Sequence, residues 1–520
     1  MTGTATLLRI LLRLNRTALV LWALILPTLL YLSGLSIAAL YPTAQDRQAY
    51  AQMAELITVE TAFTGPRNAL HTLGGITVYE SGWFLALGAA IASILIATRT
   101  TRGHEQTGVW ELVRSGQIDK HAPLAATVIL LGLLHSTIGA LSVGALVAAG
   151  TDVPGALTFG FALVCIGLFF AAVALVSAQI TSHTRGALAI SFTVLGIAFT
   201  LRAIGDTGPT SLNLLSPLGI AQASSPFGTN NPLPLIALIA LATVIAIGAG
   251  WLNAHRDLGE GIITERPGRP TANAFLLAPL GLHIRLARGR ILAWTIGTVA
   301  LMAAFGSMTT NVDEIVASSE ATADIVRAFG EESFTAAFFV FALLILAAFA
   351  AACGISLALR VKIDEEEGRL GALAVAPRRR SYILAGYVAT TIGGTLIVVM
   401  TGGAALAIGY GAAGDDWSLT GDILRAALSQ WGAVALILAV AVLVAAARPS
   451  WSPLVWFGYT LAVVIALFGP IFDPPQWLLD TSPLLHTAVF PANAAGVLFG
   501  IAAVGVIAAG FGAFARRDLG

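Results

Sequence analysis

Two short acidic clusters carry the densest reactive chemistry in this chain. The first reads Arg102-Gly103-His104-Glu105-Gln106-Thr107-Gly108-Val109-Trp110-Glu111. The second, 260 residues on, reads Lys362-Ile363-Asp364-Glu365-Glu366-Glu367-Gly368-Arg369-Leu370-Gly371. Carboxylates and cations interleaved with apolar positions such as Val109, Trp110, Leu112 and Val113 make a short amphipathic helix at a membrane surface. Such a helix anchors topology or docks a partner. Its recurrence at equivalent places favours docking, because topology alone requires no repeated acids. Nucleotide hydrolysis by a phosphate-cradling loop is excluded. That loop needs Gly-x4-Gly-Lys-Ser/Thr, and neither Lys120 nor Lys362, the only lysines, follows Gly or precedes Ser or Thr.

Other reactive groups are sparse. His135 is the one central ionisable side chain of the apolar runs and reads as a hydrogen-bonded packing residue or a pore residue. No carboxylate sits mid-run beside it, which disfavours a proton-coupled carrier, since such carriers place titratable groups in the membrane core. Acids at Asp313, Glu314, Glu320, Asp324, Glu331, Glu332, Asp415, Asp416 and Asp422 follow no metal-ligand spacing. They read as solvated loop charge, which disfavours a membrane-embedded enzyme acting on lipids. Cys165 and Cys353 lie inside apolar runs as small buried hydrophobes, with neither a disulfide nor a metal role.

The elements that must position these groups are membrane helices. Of 520 residues, 57% are hydrophobic and 11% charged, against ~25% charged in a typical soluble protein. The mean hydropathy is +0.84. A bilayer core takes ~20 apolar residues per helix, and runs of that kind fall at about 17–40, 81–98, 122–149, 155–180, 186–204 and 233–252. Six more fall at about 291–309, 334–359, 382–412, 426–447, 453–470 and 494–514. The first is too long for a signal peptide. Between the first two runs, Met53, Leu56, Val59 and Phe63 mark an outer amphipathic helix within 41–80. The sequence therefore predicts an all-α polytopic membrane protein with about twelve transmembrane helices.

Charge sets the orientation. With both termini cytoplasmic, only Arg47, Arg67, Arg202, Arg327 and Arg425 of the 28 basic residues fall in outward segments. The formal net charge of zero is then the sum of a positive inner face and an equally negative outer one. No broad basic face is left for nucleic acid. The scarcity of lysine, with abundant Ala and Gly, reflects a GC-rich genome.

The runs also repeat. Arg13-Leu14-Asn15-Arg16 leads to Trp22 as Arg285-Leu286-Ala287-Arg288 leads to Trp294, and each acidic cluster follows the second run of its half. The halves are residues 1–252 and 291–520, joined by a cytoplasmic linker at 253–290 with Pro267, Pro270 and Pro279. Both start inside, so the repeat is parallel, with a pseudo-twofold axis along the membrane normal.

The pattern Arg102-x-x-Glu105-x-x-Gly108-x-x-Glu111 resembles the coupling region of ABC-2-type ABC transporter permeases. The duplicated layout, the Arg-Leu-x-Arg…Trp22 opening and the Tyr41-Pro42 exit resemble, more narrowly, the actinobacterial exporters of polyketide antibiotics, a multidrug-efflux type. The resemblance implies a plasma-membrane permease that pairs with two copies of a separate cytoplasmic ATPase, with ATP and Mg2+ held in that partner and no cofactor in this chain. It implies coupling helices at about 99–121 and 360–381, contacting the ATPase through Arg102, Glu105, Gly108, Trp110 and Glu111 in the first half. In the second half the contacts are Glu365, Glu366, Gly368 and Arg369, with Arg378 and Arg379 at the following turn. Gly371 stands opposite Glu111, and Gln106 and Thr107 replace acids, so the two grips should be unequal. In such exporters the second and fifth spans face the central interface. That selects Trp83, Phe84, Phe192 and Phe199, then Phe338, Phe339, Phe341, Trp456, Phe457 and Tyr459, with His135 as a possible addition. Aromatic faces suit large, amphipathic, partly planar cargo in a hydrophobic cavity without a fixed counter-charge.

Overall fold

A computed structural model describes residues 2–56, 61, 64–116, 118–263, 271–308, 334–375, 379–472, 475–490 and 494–517. Among the described residues every regular element is helical. Twelve helices are long and apolar enough to cross a membrane: the chain is an all-α polytopic membrane protein. It divides into two compact units, Met1–Pro267 and Gly268–Gly520, each holding six of the twelve. The acids from Asp313 to Glu332, and Val59 and Phe63 of the outer segment, lie outside the described residues.

In the first unit the long helices are α1 (Thr4–Leu40), α3 (Leu73–Thr98), α5 (Ala122–Ala148), α6 (Val153–Ile180), α7 (Thr184–Thr207) and α8 (Leu233–Ala254). The short α2 (Ala44–Leu56) and α4 (Val109–Arg114) follow α1 and α3. In the second unit α9 (Pro279–Met308), α10 (Phe334–Ala358), α13 (Arg380–Gly414), α14 (Thr420–Ala447), α15 (Ser452–Phe472) and α16 (Ala495–Arg516) are long. The short α11 (Arg360–Glu366) and α12 (Arg369–Ala374) follow α10.

Several helices begin earlier than their apolar runs. α1 starts at Thr4 and α9 at Pro279, where the runs start near 17 and 291. The reason is local: arginine is a good helix former, so Arg9, Arg13 and Arg16, and Arg285, Arg288 and Arg290, continue the helix past the hydrocarbon-length stretch. Starts are set by caps. Thr72 Oγ1 accepts from Gly75 N–H at 3.0 Å before α3, and Asp152 Oδ2 accepts from Gly155 N–H at 2.9 Å before α6, with a proline in its first turn.

The two units repeat one packing plan. First packs on third helix (α1 on α5, α9 on α13), second on fourth (α3 on α6, α10 on α14), third on fourth (α5 on α6, α13 on α14) and fourth on sixth (α6 on α8, α14 on α16). The second and fourth helices of each unit are mostly buried, whereas fewer than a third of residues in the first, fifth and sixth are buried. An apolar helix with an exposed surface is stable only against lipid. A close crossing is that of Gly432 of α14 against Gly496 of α16, where a Cβ on Gly432 would lie 1.9 Å from the Gly496 carbonyl oxygen.

Candidate functional site

Both acidic clusters fold as elbows at the end of their second helix, not as the single amphipathic helix that their sequence suggests. In the first unit α3 widens into a π turn over Arg99–Gly103, with the His104 N–H reaching back five residues to the Arg99 carbonyl. After one further short turn, Gly108 takes φ 73° and α4 leaves in a new direction. In the second unit α10 ends at Ala358, α11 follows, and Gly368 takes φ 72° before α12. No atom lies within 4 Å of a Cβ built on either glycine. Glycine is required there for the left-handed backbone, not for space. Matching bonds close the two turns: Gly108 N–H to Glu105 O at 3.1 Å, and Gly368 N–H to Glu365 O at 2.9 Å.

The first elbow is clamped by charge. Glu105, 4% exposed at its side chain, accepts two bonds from Arg256, at 2.7 and 2.8 Å, and one from the Gly259 N–H at 2.7 Å. Arg102 Nη1 lies 3.1 Å from the same carboxylate. Arg102 also donates through Nε to the Ala178 carbonyl at 2.9 Å, and Arg256 Nε donates to Gln179 Oε1 at 2.6 Å. Both acceptors stand at the C-terminal end of α6. The chain after α8 completes the clamp, with Ile262 and Ile263 N–H bonded to the Gln179 and Ile180 carbonyls at 3.1 and 3.0 Å. The segment expected only to join the halves thus seals the elbow. Trp110, two residues past the glycine, is buried and donates Nε1–H to the Thr101 carbonyl at 3.1 Å.

The second elbow repeats this plan with different atoms. Glu365 pairs with Arg517, which follows α16 as Arg256 follows α8. Arg517 Nη1 donates to the Ala445 and Ala446 carbonyls of α14 at 3.1 and 3.2 Å. Leu370, two residues past Gly368, is buried like Trp110. Here Asp364 adds a second node, accepting from Arg369 Nε at 2.9 Å and from the Tyr387 hydroxyl at 2.6 Å, with Arg360 Nε at 3.4 Å. Tyr387 stacks on His283 with ring centroids 3.7 Å apart.

In the first unit α3, α6 and α7, with the chain at 64–68 and 218–226, line a partly open cavity of about 70 Å³. Its wall includes Trp83, Phe199, Phe159, Tyr79, Gln222 and Arg202. Arg202 is buried, lies 3.6 Å from Asp206 and stacks over Phe199 at 4.6 Å. Asp206 in turn accepts from Asn213 Nδ2 at 2.8 Å. The wall thus carries one member of a buried ion pair of the fifth helix. Arg and Asp four residues apart at a helix end were its sequence signal.

A family described as the C-terminal domain of the multidrug efflux system permease Rv1217c matches residues 276–517. The multidrug efflux system permease protein Rv1217c of Mycobacterium tuberculosis is 34% identical over 492 residues, 93% of this chain and 89% of that protein. The chain belongs to the multidrug efflux permease family. In this permease the matched domain contains the whole second elbow, from α10 to Arg517.

The permease buries several residues that sequence reasoning assigned to partner contact. Arg102, Glu105 and Trp110 are interior. The outward face of the first elbow is Val109, Glu111 and Leu112, with Leu112 78% exposed. In the second elbow Glu366, Gly368 and Gly371 are exposed, Arg369 and Glu365 half-buried, and Arg379 exposed. Arg378 lies outside the described residues.

Of the aromatics, Trp83 and Phe199 meet at the cavity. Phe84 packs edge-on against Trp83 at 5.6 Å, and Phe192 is exposed. Phe338 and Phe341 both flank Phe305, while Phe339 is buried between Tyr410 and Phe490. Trp456 and Phe457 are exposed on α15, and the Tyr459 hydroxyl donates to the Ala348 carbonyl at 2.9 Å. His135 is fully buried with Nε2 2.5 Å from Ser93 Oγ, which donates to the Gly167 carbonyl at 2.6 Å. It ties α3, α5 and α6 together and does not line the cavity.

Proposed function

We propose that this permease is the membrane subunit of an ATP-driven ABC-2-type exporter that moves hydrophobic or amphipathic compounds, drugs among them, out of the cell. The elbows face the cytoplasm, and each docks on one of two copies of a separate ATPase, which holds the ATP and Mg2+. The chain itself is not an enzyme. The observation that carries this reading is the recurrence, in both units, of a glycine-turned elbow that ties one glutamate to an arginine past the sixth helix and leaves a small apolar face exposed. In the first elbow that face is Val109 and Leu112.

Purification from native membranes should bring down the ATPase in a two-to-one ratio. Leu112→Arg is expected to weaken that capture by roughly tenfold, about the effect of losing one buried apolar anchor. Export that runs on a proton gradient without ATP would overturn the reading. The ion-coupled alternative draws support from one observation, the buried Asp206 carboxylate beside Arg202, since intramembrane ionisable pairs mark proton pathways.

Substrate contact follows the cavity. At about 70 Å³ it holds a few waters, whereas drug-sized sites measure roughly 300–1,000 Å³, so α3, α6 and α7 must part to admit cargo. Trp83→Ala and Phe199→Ala are expected to lower efflux of a planar hydrophobic dye roughly fivefold, near 1 kcal/mol of barrier. Phe457→Ala, on an exposed face, should leave efflux unchanged. Whole-cell dye efflux measures the difference.

A further inference from the structure

We propose that Arg256 and Arg517 are positioning residues, each tying an elbow glutamate to the ends of the fourth and sixth helices of its own unit so that the three move as one piece. This rests on the docking reading above and adds the route by which a push on an elbow reaches the membrane helices. Nothing in the two acidic clusters themselves points to either arginine.

The same arrangement recurs in both units. Arg256 stands two residues past α8 and Arg517 one past α16. Each pairs with the glutamate three residues before the left-handed glycine, and the separations along the chain, 151 and 152 residues, are almost equal. Each arginine also engages the end of the fourth helix: Arg256 through the Gln179 side chain, Arg517 through the Ala445 and Ala446 carbonyls. Those last carbonyls have no partner within their own helix and carry the negative end of its dipole. A guanidinium is the group that serves them and a carboxylate together, with five donors in a planar fork.

Location decides that these are not ornamental surface pairs. Side-chain exposures are 8% for Arg256 against 4% for Glu105, and 15% for Arg517 against 19% for Glu365. Exposed ion pairs contribute little because solvent screens them and the side chains wander; these are shielded and fixed by several bonds each. The fourth and sixth helices already pack on one another in both units. The arginine adds the elbow glutamate to that pair, beside the direct contacts that each elbow already makes with the fourth helix.

Hydrogen exchange on the full-length permease in nanodiscs, and transport by the permease–ATPase complex, test this together. R256Q should speed exchange in residues 104–116 and leave 366–375 unchanged; R517Q should do the reverse. R256K and R517K, with one compact donor group, should lie between wild type and the glutamine variants, which separates loss of the fork from general unfolding. In the reconstituted complex, substrate moved per ATP hydrolysed should fall about tenfold in the double R256Q/R517Q variant. Unchanged exchange in both elbows would overturn the proposal. Faster exchange with an unchanged transport-to-hydrolysis ratio would overturn it too, since the elbows would then work without the tie. A wild-type permease that transports with no ATPase would sink the docking reading and the transmission with it. The exchange data would still decide whether the arginines hold the elbows.

Discussion

Gly432→Val is expected to abolish folded permease. Gly432 in α14 faces Gly496 in α16, and a Cβ at 432 would lie 1.9 Å from the Gly496 oxygen and 2.5 Å from its carbonyl carbon. A Cβ at 496 would in turn lie 2.3 Å from the Ser429 oxygen. The obstructing atoms are backbone, so no rotamer change relieves them and the helices must separate. Overpacking against yielding side chains costs roughly 1–3 kcal/mol, and a backbone obstruction falls at or above the top of that range. Helix association in lipid depends on such small-residue contacts, because hydrocarbon supplies no hydrophobic drive between helices. Size-exclusion profiles of detergent extracts should show the monodisperse peak lost. Gly458→Val is the control: it sits on an exposed face of α15 with no atom within 4 Å, and its profile should match wild type.

The second large effect concerns the elbow glutamates, which should respond unequally. Glu105→Ala leaves Arg102 and Arg256, 0% and 8% exposed at their side chains, facing each other without the carboxylate between them. Stripping one partner from a buried charge cluster costs roughly 3–5 kcal/mol. Glu365→Ala leaves Arg517 its two α14 carbonyls and partial access to water, so about 1 kcal/mol is expected, nearer an ordinary hydrogen bond. Thermal unfolding of the purified variants, with ATPase capture in parallel, measures both; equal losses would overturn the assignment. Sequence alone also points to unequal grips, from Gln106, Thr107 and Gly371. Burial supplies a different reason for an imbalance of the same kind.

Helix number and the twofold repeat of six spans were legible because hydrocarbon-length runs and arginine-rich breaks alternate along the chain, and both are properties of sequence. The elbows were located by their offset acids and their glycines. Their internal wiring was not legible. Glu105 and Glu111 look alike in the string, yet one is interior and the other exposed, because the turn at Gly108 redirects the chain between them. Arg256 passed for linker charge, although its place after the sixth helix, matched by Arg517, was available to a search for repeats. Aromatics were the weakest guide. Phe199 and Phe457 have the same chemistry, and only the rotation of each helix puts one at a cavity and the other on an exposed face.

The two second helices reach their elbows by opposite departures from regular winding. α3 loosens through the π turn at Arg99–Gly103. Past α10 the chain tightens instead, with the Lys362 N–H bonded only three residues back to the Leu359 carbonyl at 3.2 Å. A π turn turns the chain through less angle per residue than an α-helix, and a three-residue turn through more. One shaft is therefore underwound and the other overwound just above a matching crank. A torque of one sense restores regular helix in the first and distorts the second further, so the same twist applied to the two elbows meets unequal resistance.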